Sequence, residues 1–222
     1  MPQTNVNAFA NTGLLKSIQL PPTIQHVLVP APVKIITDFT MSMDPIIEQV
    51  RKNISVAVDE CKSMGVDLQP AFLVSRDLFD HGADGLRDDG FMTVDEFKHK
   101  LVGERTIGGT THPESQLDAI LVAIRGPWPN MKPRQLKNIV LTTNSDTHPN
   151  TQDGMNVDDV LKLALKTGCR VHIIGPDFPA YLKLTRETGG MFFNIEKNTD
   201  AESYKRIFAK LGKTITQTAL GC

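Results

Sequence analysis

The chain has 222 residues, 40% of them hydrophobic and 22% charged, which is ordinary globular composition and enough for one sizeable core. Lys and Arg total 24 against 25 Asp and Glu, a formal charge of −1, so the sequence carries no basic footprint for nucleic acid and no patch for an anionic membrane. No window approaches the roughly 20 apolar residues of a membrane-spanning helix, and the N-terminus lacks the basic start and apolar centre of a secretory signal, so the expected location is cytoplasmic.

Residues 1–32 read as an N-terminal arm with a short strand: Asn and Thr come early, and Pro21, Pro22, Pro30 and Pro32 surround the apolar HVLV. The main domain is expected over 33–212, followed by a tail over 213–222. Cys61, Cys169 and Cys222 are odd in number and widely spaced, with no partners at metal-ligand spacing; the first two suit a core, the last an exposed thiol.

Val33 to Met43, VKIITDFTMSM, carries the most chemistry. A buried-strand run (Val33, Ile35, Ile36, Thr37) ends in Asp38, Thr40 and Ser42, three oxygen-bearing side chains at alternate positions. A strand ending at the sheet edge would deliver Asp38 to a crevice, and the following turn would fold both hydroxyls toward one point, as a hard cation requires. Because hydroxyls are neutral, a bound dication would keep much of its charge and seek a carboxylate from outside. The plainer alternative is a strand-to-helix turn with capping residues.

From Asp44 the period changes. Asp44-Pro45 predicts an N-cap with proline at the first helical position, and Ile47, Val50, Ile54, Val58 and Cys61 recur at helical spacing up to Gly65. Leu68 to Ser75 predicts a strand. Residues 76–98 are acidic and long for a connection; Asp89 to Glu96 copies the second half of an EF-hand calcium loop, but Gly85 and Arg87 stand where its first half needs acids. A solvated insertion with a short helix around Val94–Val102 is the competing reading.

In Gly108 to Ile124, two glycines permit a tight loop, Thr110 and Thr111 offer hydroxyls, and Pro113 can open a helix whose buried face is Leu117, Ile120, Leu121 and Ile124. No lysine follows to make it a phosphate loop. Ile139 to Thr143 predicts a strand ending in Asn144, Ser145 and Asp146; a helix over Val157–Thr167, a strand over Arg170–Ile174, a helix over Tyr181–Thr188, the strand MFFNI and a last helix over Ala201–Leu211 follow. This alternation argues for an α/β fold, a doubly wound, mostly parallel sheet with helices on both faces and its site at the strands' C-terminal ends.

On these residues the chain resembles a von Willebrand factor A domain with a metal-ion-dependent adhesion site. Asp38-Phe39-Thr40-Met41-Ser42 is similar to the family's Asp-x-Ser/Thr-x-Ser motif, Gly109-Thr110 to its second-loop threonine, IVLTT to the strand before its third-loop aspartate, and RETGGMFFNI with DAESYKRIF to its closing helix, strand and helix. The resemblance implies that Thr40 and Ser42 bind a divalent cation directly, Thr110 in one of the site's states, and Asp38 through water. Asn144 stands where the family has its aspartate; it is a neutral and weaker ligand, and Asp146 is near enough in sequence to substitute. Met41 fills a commonly small position. The implied ion is Mg²⁺, with Mn²⁺ or Ca²⁺ as alternatives.

The function implied is a non-catalytic protein-interaction module, Rossmann-like in fold, that docks an acidic residue of a partner, or of another copy of itself, at the ion. No nucleophile and base stand at recognisable spacing. His112 and His148 fall in rim loops where a partner would touch them. Two alternatives stand beside this: a structural subunit whose arm builds a homo-oligomer, and a phosphoaspartyl hydrolase using Asp38, which lacks the second acid because Thr40 occupies its place.

Overall fold

The computed structural model describes residues 28–110, 112–131, 135–196 and 199–221; the arm before residue 28, Thr111 and Cys222 lie outside them. The central strand is β1 (Val29–Asp38), which pairs in parallel with β2 (Val66–Ser75) along its whole length and with β4 (Lys137–Thr142) from Val33 onward. Pro30 and Pro32 are therefore strand residues, not arm. The Pro30 carbonyl accepts a hydrogen bond from Gln135 on the β4 flank, so the missing proline N–H faces the side where β4 has not yet begun, and no ladder bond is lost.

The sheet has six strands in the order β3-β2-β1-β4-β5-β6, with β5 (Cys169–Gly175) and β6 (Phe192–Asn194) parallel and β3 (Leu86–Phe91) antiparallel at one border. The alternation expected of a doubly wound α/β chain holds. Helices α1 (Asp44–Ser63), α3 (Val94–Gly103) and α7 (Ala201–Leu220) cover one face, packing on Val33, Ile35, Phe72 and Val74. Helices α4 (Gln116–Arg125), α5 (Val157–Thr167) and α6 (Pro179–Thr188) cover the other, over Ile36, Leu73, Ile139, Leu141 and Ile173. The period-2 pleat divides each strand between the two cores, each fully buried aliphatic contributing about 1.5–3 kcal/mol. Among the described residues no helix is long and apolar enough to cross a membrane.

Several local expectations are revised. Asp44 is the first residue of α1 rather than its cap, and its carboxylate accepts from Thr106 instead. Residues 76–98 are not an open insertion: a one-turn helix α2 (Leu78–His81) leads into β3, whose Arg87 and Asp89 join Lys100 and Glu104 in an ion-pair lattice. The half EF-hand has other work, because Glu96 forms a capping box with Thr93 at the start of α3 and Asp89 is engaged by Arg87 and Lys100. Helix α4 begins at Gln116, not Pro113, and α7 continues to Leu220 with Thr214, Ile215, Thr216 and Thr218 buried, so 213–220 is helix rather than tail.

Candidate functional site

Strand order reverses between β1 and β4, the place where an open parallel sheet leaves a crevice outside its carboxyl ends. Asp38 closes β1 there with no solvent exposure. Its Oδ1 accepts from the Thr40 N–H (2.9 Å) and the Thr40 hydroxyl (2.8 Å); its Oδ2 accepts from the Gln116 amide (2.9 Å) and the Thr143 hydroxyl (2.8 Å). The Thr40 turn thus folds back on the strand end, and a 3-10 turn over Met41–Met43 carries Ser42 outward. Thr40 Oγ1 lies 3.3 Å from Ser42 Oγ, which donates to Asn144 Oδ1 at 3.1 Å, while Asn144 Nδ2 returns a bond to the Ser42 carbonyl at 3.0 Å. Asp38, Thr40, Ser42 and Asn144 therefore converge from sequence positions up to 106 apart.

The other expected residues are placed differently. Thr110 gives its hydroxyl (2.7 Å) and N–H (2.9 Å) to Asp80, whose carboxyl these bonds hold below its usual range. Its loop still backs the site: Gly109 has φ +81°, and a Cβ there would stand 2.6 Å from Thr40 Cβ. Asp146 is turned onto the N–H of Thr147 at 2.8 Å. His112 is exposed at the rim with Nδ1 2.8 Å from Ser145 Oγ, whereas His148 is mostly buried, its ring tilted 54° against that of Phe79 with centroids 4.5 Å apart and its Nε2 3.7 Å from Asp77 Oδ1.

Sequence reasoning missed Glu114 and Gln116, and set Thr143 beside Asp38 only in the hydrolase alternative, with Thr142 as its equal. The stretch Pro113–Ser115 reads as a helix start, yet it runs as an irregular segment bridged to Thr147 through Glu114, which turns Glu114 inward. Glu114 Oε2 accepts from the Gln116 amide at 3.0 Å, the same nitrogen that serves Asp38, and its buried Oε1 has no hydrogen-bond partner. Two carboxylates thus share one donor in a dry pocket. Burial, then the Asp38 charge, pushes the Glu114 carboxyl up to about 9. Burial also raises Asp38, against hydrogen bonds from Glu114, Thr40 and Thr143 that favour its anion. Glu114 consequently holds the proton at neutral pH and shares it with Asp38.

The donor set fits a hard dication. Thr40 Oγ1, Ser42 Oγ and Asn144 Oδ1 are oxygens at the mouth, and the Asp38 carboxylate, bonded to the Thr40 hydroxyl, lies behind them. Among the described residues no three His, Cys, Asp or Glu side chains form a metal cage, so two carboxylates at most would take part.

No family model matches the sequence, and no curated protein does. Among solved structures, the chain is similar to the pilus adhesin SpaC from Lactobacillus rhamnosus GG in its open conformation, with a TM-score of 0.56 at 11% identity over 86% of this chain. The chain spans 30% of that protein's length. At this identity the likeness is one of fold.

Proposed function

We propose that the chain is a von Willebrand factor A-type interaction module that holds a divalent cation at the carboxyl edge of its sheet and engages a protein partner there. The observation carrying this reading is the convergence of Asp38, Thr40, Ser42 and Asn144 at the carboxyl edge of β1 and β4. A bound Mg²⁺ or Mn²⁺ would supply a positive centre only partly neutralised by its ligands, able to take a carboxylate from a partner. Thr40 and Ser42 would orient their hydroxyl oxygens on it.

The rim suits a protein ligand. Met41, Phe79 and Ile107 are 59%, 71% and 50% exposed around the same edge, and exposed apolar side chains grouped at a site mark interaction surfaces. Asp38 is unsuited to nucleophilic attack, being buried with both oxygens committed to donors, which favours a binding role over hydrolysis. That one protein sharing the architecture is an adhesin is in keeping with this reading.

Calorimetric titration of the chelator-stripped protein with Mg²⁺, Mn²⁺ and Ca²⁺ tests it. Saturable binding is expected, weakened about tenfold or more by Ser42→Ala and tightened by Asn144→Asp, which adds ligand charge. Failure of every ion to bind, or binding indifferent to Ser42→Ala, would overturn the assignment.

A further inference from the structure

Beside the Ser42–Asn144 pair the edge opens into a cavity of about 690 Å³. Following the strand order from β1 and β4 toward β5 and β6, its walls change character. Ser42 and Asn144 line it after β1 and β4, Asp177 after β5 and Glu196 after β6 supply two exposed carboxylates, and Ile46 of α1 and Ile195 after β6 add apolar surface. Among the described residues neither carboxylate is in an ion pair. Taken as a cube, the cavity is about 9 Å across, the span of roughly three residues of extended chain.

We infer that this groove, resting on the cation reading above, reads the partner's sequence: it takes a short extended segment whose acidic side chain meets the ion at Ser42 and Asn144 and whose Lys or Arg faces Asp177 and Glu196, with an apolar side chain packing on Ile46 and Ile195. Charge complementarity fixes the occupant. A cation at one end and two carboxylates at the other favour a dipolar segment over a uniformly acidic one, which Asp177 and Glu196 would repel, and over a uniformly basic one, which the ion would repel.

Panning phage-displayed random heptapeptides on the full chain in Mg²⁺ tests this. Enriched sequences are expected to carry an acid, an apolar residue and a Lys or Arg within about three residues. Their binding should fall about tenfold or more on Asp177→Lys/Glu196→Lys, both positions being exposed, and should vanish with chelator. Peptides that need Mg²⁺ and an acid but bind the charge-reversed protein equally well would refute the groove and leave the cation site standing. Peptides sensitive to charge reversal but indifferent to chelator would sustain the groove and overturn the cation reading. No enrichment at all would refute the groove as a peptide site.

Discussion

Replacing Glu114 with glutamine isolates the buried proton. Glu114 carries a folded-state pKa of about 9 against 4.5 in an unfolded chain, so between those values the folded state holds a proton that the unfolded state releases. Stability is then fully present below about pH 4.5 and is lost as pH rises toward 9. Each unit of that window removes about 1.4 kcal/mol, and with partial relaxation of the pocket the loss is on the order of 5 kcal/mol. Asp38 is shifted in the same direction by burial and adds to the trend. Glutamine keeps the shape and the acceptor for Gln116 but has no proton to lose. Urea unfolding in chelator at a series of pH values should therefore show the native midpoint falling by about 2 M from pH 5 to pH 9, with a much flatter curve for Glu114→Gln. Parallel curves for the two proteins would refute the assignment of the buried proton to Glu114.

Three further perturbations probe separate layers. Gly109→Ala places a methyl 2.6 Å from Thr40 Cβ at a positive φ; cation affinity by calorimetry should drop about tenfold with a stability loss of about 1–2 kcal/mol, and unchanged affinity would show that the loop does not position Thr40. His172 is buried, with Nε2 3.1 Å from Asn138 Oδ1 and Nδ1 accepting from the Met191 N–H, and burial lowers its pKa to about 4 from 6.5. The unfolded state there binds more protons, so stability should fall by about 3 kcal/mol as pH drops from 6.5 to 4, an acid limb that His172→Gln should remove and that would otherwise point to another group. Gly212→Ala gains about 1 kcal/mol of helix propensity but drives a Cβ to 2.7 Å from the Ala57 carbonyl and 2.9 Å from Glu60 Cβ. Overpacking of about 1–3 kcal/mol should win, and a rise in the urea midpoint would contradict the close approach of α1 and α7.

Most of the architecture was legible because hydrophobic period and punctuation agree along the chain. Helix α5 carries an Asn156 cap and a Gly168 stop in the left-handed conformation, and its bounds follow from those two residues. Strand β3 was hidden: Leu86-Arg87-Asp88-Asp89-Gly90-Phe91 shows no apolar alternation, because its charges are satisfied by tertiary ion pairs that no local pattern announces. The Asp38, Thr40 and Ser42 cluster could be read because it is local, three positions of one turn. Glu114 could not, since its role depends on Pro113–Ser115 remaining irregular and pairing with Thr147, thirty-odd residues on, while Pro113 by itself signals a helix start. Thr143 passed as a strand residue; only the register of β4 against β1 sets its hydroxyl on Asp38.

The two borders of the sheet bear on how this chain meets others. One is β3, whose Arg87 and Asp89 are interlocked with Lys100 of α3 and Glu104 just after it; the other is β6, three residues long. A border strand bearing charges and a very short one are both poor templates for a foreign strand. Among the described residues, fibril growth or strand exchange through these two flanks is thereby discouraged.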